Sequence, residues 1–317
     1  MSEASLPASR LNITAAGVVA FGPDRELLLS LVRTALEEVA HVYVFVNALI
    51  DEALLERLLG LDARCHIIQS DHNLGVAEAL NLIALHAILA GCSRAVLFDQ
   101  DSRPPQGMVS ELGAAMDLLQ ESGQKVAVVG PAIVAPAGRT ADFKSPRYFQ
   151  MPRRQPVESA TPVRYVITSG SLVDLGAFRT VGKFRSDFFI DAIDTEWCFR
   201  AWDKGYSCWF VPNVRMAHTI GEGAVRSRLF GLRFPHQSPM RMYSYFRNQV
   251  ASLGLAHVPL NWKLRFGLHV ALLATTMLID AKFSPAVVGL IRRAVADGMR
   301  GRLGPPPGAA RTVAIPT

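Results

Sequence analysis

The sequence predicts an α/β fold whose largely parallel central sheet is flanked by helices. Three observations predict it. Short apolar runs alternate with segments whose leucines recur at helical spacing. Turn and capping residues such as Gly22-Pro23-Asp24, Asn47 and Asn73 separate them. One apolar run, Ala95-Val96-Leu97-Phe98, leads into Asp99-Gln100-Asp101-Ser102 and then Arg103-Pro104-Pro105, which places two acids at the strand end where open α/β sheets bind ligands.

The elements follow in order. Ile13 to Phe21 reads as the first strand, and Asp24 caps a helix from Arg25 to Val39. Val42 to Val46 is the second strand, followed by a short helix from Asp51 to Leu59. Cys65 to Gln69 is the third, and Asn73-Leu74-Gly75 opens a helix through Leu89. The acidic strand comes next, then a helix from Glu111 to Ser122 and a strand from Lys125 to Gly130. Pro131 to Pro162, rich in Pro, Arg and Ser, reads as a long surface loop or hairpin near the site. Tyr165 to Thr168 reads as a strand ended by Ser169-Gly170-Ser171, Phe188 to Lys204 as a helix, and Tyr206 to Val211 as a strand. A helix capped by Asn261 is expected to run to about Ala281. The expected organisation is a short N-terminus (1–12), an α/β unit (13–220) with halves meeting near residue 130, a basic and apolar helical C-terminal extension (221–304) and a disordered tail (305–317).

With 317 residues, half of them hydrophobic, the chain can bury a large core. Its formal charge of +6 is concentrated late, which fits phosphorylated substrates or anionic lipid; no nucleic-acid-binding pattern accompanies it. Cys65, Cys92, Cys198 and Cys208 lack metal-site spacing and read as buried thiols of a reduced compartment. Residues 1–12 lack a signal-peptide pattern, and His269 and Asp280 interrupt the most apolar stretch, so no membrane span is expected. The expected location is the cytoplasm.

Four groups of residues carry chemistry. Alternation puts Asp99 and Asp101 on one face, where two hard oxygens suit Mg²⁺ or Mn²⁺; alone, the pair reads sooner as a polar turn with an Asp capping the next helix. Asn73, Gly75 and Asn81 read either as a backbone cradle at a helix N-terminus or as a cap and a packing glycine. In Phe188-Phe189-Ile190-Asp191-Ala192-Ile193-Asp194-Thr195-Glu196-Trp197, acids set among large apolar groups favour a raised pKa and a general base, with Asp191 and Asp194 sharing a helix face. His218 is a candidate third metal ligand, and Arg241 to Asn248 either hold phosphate oxygens or form an amphipathic helix.

In this order these motifs resemble the family 2 inverting glycosyltransferases, and among them the bacterial rhamnosyltransferases, over roughly residues 13–255. The segments that carry the resemblance are Asn73 to Asn81, Phe98 to Ser102, Gly170-Ser171, Phe188 to Arg200, His218 to Gly221 and Tyr243 to Asn248. The resemblance implies a GT-A-type nucleotide-diphospho-sugar transferase fold. It implies that Asp99 faces the donor, that Asp101, with His218, binds Mg²⁺ or Mn²⁺, and that Asp194 is the catalytic base. Phe21, Asn47, Asn73, Gly75, Asn81, Gly170 and Arg247 complete the expected donor set, and Asp191, Glu196 and Trp197 the acceptor set.

Two positions depart from the family pattern. Val46-Asn47-Ala48-Leu49 stands where Asp-Asn-Gly-Ser is usual, and the first strand ends Phe21-Gly22 rather than in a Tyr-Asn or Thr-Asn pair. The implied reaction is transfer of L-rhamnose from dTDP-L-rhamnose to a saccharide or lipid-linked saccharide of the bacterial envelope. Its rivals are a UDP-sugar transferase and a non-catalytic nucleotide- or glycan-binding relative. Residues 262–302 are expected either to contact the inner membrane surface or to pack as a core or homo-oligomer helix.

Overall fold

The computed structural model describes residues 12–48, 50–136, 148–152, 154–218, 224–226, 233–235 and 237–309. The expected N-terminal segment up to residue 11, Leu49 of the second-strand motif, much of the 131–162 loop, Thr219 to Gly221 of the histidine motif and the tail from residue 310 lie outside them.

Among the described residues the core is an eight-stranded sheet in the order β3-β2-β1-β4-β7-β5-β8-β6. Its strands are β1 (Thr14–Ala20), β2 (His41–Val46), β3 (Cys65–Gln69), β4 (Arg94–Asp99), β5 (Val126–Val134), β6 (Thr161–Pro162), β7 (Ser171–Asp174) and β8 (Ser207–Ala217). The β3-β2-β1-β4 block and the β5–β8 pair are parallel, and β7 runs antiparallel between β4 and β5. A separate hairpin pairs β9 (Ala224–Arg226) with β10 (Arg233–Pro235).

Alternation along the buried strands fills two cores, one on each side of the sheet. Ala16, Val18, Val96 and Phe98 pack with α1 (Arg25–Leu36), α2 (Glu52–Leu59) and α4 (Met108–Glu121). Ala15, Val19, Ala95 and Leu97 face α3 (Val76–Leu89), α5 (Leu175–Val181) and α6 (Ile193–Asp203). Asp24 and Asp51 cap α1 and α2 by accepting from the amides of Leu27 and Leu54. A C-terminal layer, α7 (Pro239–Ser252), α8 (Leu260–Asp280) and α9 (Pro285–Met299), has its own apolar centre around Phe246, Leu273 and Ile291.

Several expectations change. Tyr165 to Thr168 form no ladder, despite β-favouring residues. Gly170, at φ +79°, turns the chain and donates its N–H to Leu97, so pairing begins only at Ser171. Helix α4 starts at Met108 rather than Glu111, because Glu38 accepts from the amides of Gly107 and Ser110 across the fold. Strand β5 runs on through Pro131, where a loop was expected, and α8 is entered from Pro259, so Asn261 is not its cap. Helix α8 is also long and apolar enough, by length and composition, to cross a membrane, contrary to the expectation set by His269 and Asp280.

Gly75 shows why one glycine cannot change. Its φ is +83°, and a Cβ there would lie 2.6 Å from both the ring and the carbonyl oxygen of Phe189. Gly75→Ala should cost about 2–4 kcal/mol in urea unfolding, from left-handed strain plus overpacking; a loss below 1 kcal/mol would refute that contact.

Candidate functional site

Two acidic centres lie on either side of the segment 166–171. The first sits at the end of β4. The main chain of Arg103 donates to Ala217, tying the turn after Asp101 to the end of β8, which brings His218 over the acids. Asp99 lies 3.3 Å from His218 Nε2 and Asp101 3.4 Å from Nδ1. One ligand atom from each residue lies within 4.8 Å of the others. Burial pushes the Asp101 carboxyl up, aided by the Asp99 charge and opposed by His218. For His218, burial opposes the charged form, but the Asp99 hydrogen bond and both carboxylates outweigh it and raise the pKa. His218 Nδ1 is buried and makes no hydrogen bond. A divalent cation fits this set, because it neutralises two acids that otherwise repel and can be ligated by a buried nitrogen that makes no hydrogen bond.

Gln100 turns to the other side and fixes the end of β1. Its side chain accepts from the Phe21 amide at 2.6 Å and donates to the Phe21 carbonyl at 3.2 Å. The Phe21 ring is left exposed. Ser102 and Ser169 hydroxyls meet at 2.8 Å, which links the acidic turn to the 166–171 segment.

The second centre is Asp194, in the first turn of α6. Ile167 and Thr168 line a small cavity with it. Burial raises its pKa to about 6, helped by the charge of Asp191 and opposed by hydrogen bonds from Thr195. Asp191 is not on the helix, as the sequence predicts. It lies in a left-handed stretch (Phe189, Asp191 and Ala192 at φ 63° to 65°) that precedes it. Arg241 holds one Asp191 oxygen at 3.0 Å, while the other is buried without a hydrogen bond. Burial raises its pKa against the opposing pull of Arg241. Tyr148 and Tyr165 border Asp194 and are raised by burial first and by its charge second, Tyr165 to about 12.

Other expected site residues are used by the protein itself. Asn47 accepts from the Leu74 amide at 2.7 Å, and Asn73 accepts from Gly75 at 2.9 Å. Gly75 admits the Phe189 backbone rather than a ligand, and Gly170 packs on Met216 and Pro131. Asn81 is buried and pairs with both backbone groups of Phe184. Arg247, expected to hold phosphate, is buried and donates to the carbonyls of Phe188 and Gly304. Glu196 faces Arg200 and His257 rather than an acceptor; burial raises its pKa, but these two partners outweigh that and lower it. Trp197 is core, stacked near Phe178 and Phe184 with its N–H on Gly182. The amphipathic-helix reading of Arg241 to Asn248 is the one the fold adopts.

Sequence reasoning missed Tyr148, Tyr165 and His257. Nothing local marks them, because each acquires its role from a neighbour distant in the chain.

No protein-family model matches the chain. It is 27% identical over 301 residues to a dTDP-rhamnosyl transferase, RfbF of Shigella flexneri, covering 90% of this chain and 95% of that one. Two solved structures share the fold: GalNAc-T7 with UDP, GalNAc and Mn²⁺ (TM-score 0.54, 15% identity, 83% of this chain and 55% of that one) and TarS of S. aureus (TM-score 0.51, 13% identity, 82% and 43%). The chain thus spans about half the length of these structures. The sheet and its flanking helices have a GT-A fold. Within that class the chain is similar, along nearly its whole length, to the dTDP-rhamnosyl transferase.

The raised Asp194 pKa has a stability consequence. An unfolded Asp titrates near 3.9, so the folded state binds the proton more tightly. The resulting stabilisation is full below about pH 4 and is lost as pH rises to about 6, leaving a buried charge above that. Asp194→Asn should therefore stabilise the fold at pH 7.5 by about 1–2 kcal/mol, with the gain shrinking below pH 4. Thermal melts across that range check it, and a destabilised variant at pH 7.5 would contradict the burial argument.

Proposed function

We propose that the chain is a metal-dependent inverting glycosyltransferase that moves L-rhamnose from dTDP-L-rhamnose to a saccharide or lipid-linked saccharide of the bacterial envelope. The observation that carries this reading is the pairing of two differently tuned acid centres on opposite ends of one segment. Asp99, Asp101 and His218 gather ligand atoms for a cation, whereas Asp194 is a single carboxylate raised to about 6. The dTDP-rhamnosyl relative, aligned over nearly its whole length, supports the donor.

Asp194, ionised at neutral pH yet more basic than a solvated carboxylate, takes the proton of an acceptor hydroxyl. That oxygen attacks the anomeric carbon from the face opposite the nucleotide, the bond to the diphosphate breaks, and configuration inverts. Asp191 keeps the base's pKa up through its charge, and Arg241 holds Asp191 in place. Asp99, Asp101 and His218 would hold Mg²⁺ or Mn²⁺, which supplies charge stabilisation to the departing diphosphate. Phe21, exposed beside this centre and fixed by Gln100, offers its ring to the base or ribose of the donor. The enzyme works in the cytoplasm, at the inner face of the membrane where a lipid-linked acceptor is carried.

Asp194→Asn should lower kcat by about 10²–10⁴ with dTDP-rhamnose, and the wild-type rate should fall with an acid limb near pH 6. Full activity in the variant would remove Asp194 from the role of base. Chelation should abolish turnover, with recovery on adding Mn²⁺ or Mg²⁺ to wild type but not to Asp101→Asn. Chelator-resistant turnover would end the metal assignment. A thermal-shift panel of dTDP and UDP, each with Mn²⁺, is expected to favour dTDP; a larger shift with UDP would transfer the donor assignment to a UDP-sugar.

A further inference from the structure

We infer that the outer face of α8 seats the enzyme flat on an anionic membrane, with the Asp194 centre held at the level of the lipid headgroups. The helix has two apolar faces. The inner one packs on the protein: Trp262 lies with Phe199 and Val258, and Val270 and Leu273 lie with Phe246 and Ile291. On the outer one, Leu260, Leu264 and Leu268 are 68–73% exposed, and Leu272 and Ile279 continue the line. At about 100° per residue these five fall within an arc of about 120°. Exposed leucines at this spacing, on a helix of 21 residues, form a continuous apolar stripe rather than scattered surface hydrophobics.

The charge pattern selects the occupant. Lys263 and Arg265 fall on the two borders of the arc, and no acid occurs from residue 223 to residue 279. Lys282, Arg292, Arg293, Arg300 and Arg302 add exposed cations just beyond it. Asp297, the acid among them, is turned to the Tyr243 hydroxyl and to Arg302. Two copies of this face brought together would set cations against cations, because Asp280, the acid of α8, lies outside the arc. An anionic lipid surface answers both features: the leucines enter the acyl boundary while the basic borders stay at the headgroups. The helix is long enough to cross a bilayer, but its inner face is already committed to Trp262 and the α7 and α9 contacts, so it lies along the surface.

The same helix borders the catalytic centre. The Trp262 ring is 5.9 Å from Tyr165, the tyrosine whose hydroxyl feels the Asp194 charge. Arg265 stacks over Phe149, on the same wall, at 4.4 Å. Membrane contact would therefore fix the distance between the base and the bilayer. The inference deepens the acceptor half of the proposed function and rests on it for what the membrane carries.

The test is flotation of the full chain with vesicles of phosphatidylcholine alone or mixed with phosphatidylglycerol, alongside the melting shift caused by dTDP with Mn²⁺. Wild type should float with the anionic vesicles only and be released by salt. Leu264→Asp/Leu268→Asp should reduce the bound fraction roughly tenfold while retaining the dTDP–Mn²⁺ shift. Wild type that stays in solution, or a double variant that floats as well as wild type, overturns the inference. So does a wild-type dimer that the double variant converts to a monomer, since the stripe would then be a contact between copies. Loss of the nucleotide shift in wild type, with flotation intact, would instead count against the transferase reading alone.

Discussion

The arrangement depends on how residues 188–191 are held. Phe189, Asp191 and Ala192 occupy left-handed backbone conformations, each unfavourable by about 1–3 kcal/mol. They persist because one side chain, Asn248, donates to the carbonyls of Phe188, Ile190 and Asp191 at 2.8–3.0 Å. Arg247 adds a bond to Phe188. The bent segment then offers the Phe189 carbonyl to the Ala77 amide at the start of α3, aims Asp191 at Arg241 and launches α6 with Asp194 in its first turn. The buried Arg-Asn pair of α7 is thus a positioning device for the turn that carries Asp194, with Arg247 bonded to Asn248, Phe188 and Gly304.

Two carboxylate environments follow from that scaffold, and they differ in kind. At the β4 end, two acids share one histidine and keep partial access to solvent, which suits exchange with a cation and its ligands. Around Asp194 the walls are aromatic and aliphatic, and the nearest charge is another acid, so the proton is held more firmly. The segment carrying Ser169 touches the first environment through Ser102 and borders the second through Ile167 and Thr168.

The first half of the fold was legible because its signals are local. Buried parallel strands read as continuous apolar runs, and Asp24 and Asp51 cap the helices they precede. The acidic pair and His218 were likewise visible as residue types at a strand end. What could not be read depends on distant partners. Tyr165 has strand chemistry but no strand, because Gly170 redirects the chain. Glu38 starts a helix some seventy residues away. Asn81, Glu196 and Trp197 have the right chemistry for ligands, yet the fold uses them to bind Phe184, Arg200 and Gly182. The missing acid at Val46 was legible, and the structure adds that Val46 is buried in the core.

The bonds that reach Gly304 set an order in time. Its carbonyl accepts from Arg247 and its amide donates to Asp187, so the turn before Asp194 is clamped by a residue more than a hundred positions after it. On a ribosome adding roughly 5–20 residues per second, the sheet and its acidic strand end can form well before that clamp is synthesised. The β4 end can therefore take shape before the turn that carries Asp194 is fixed.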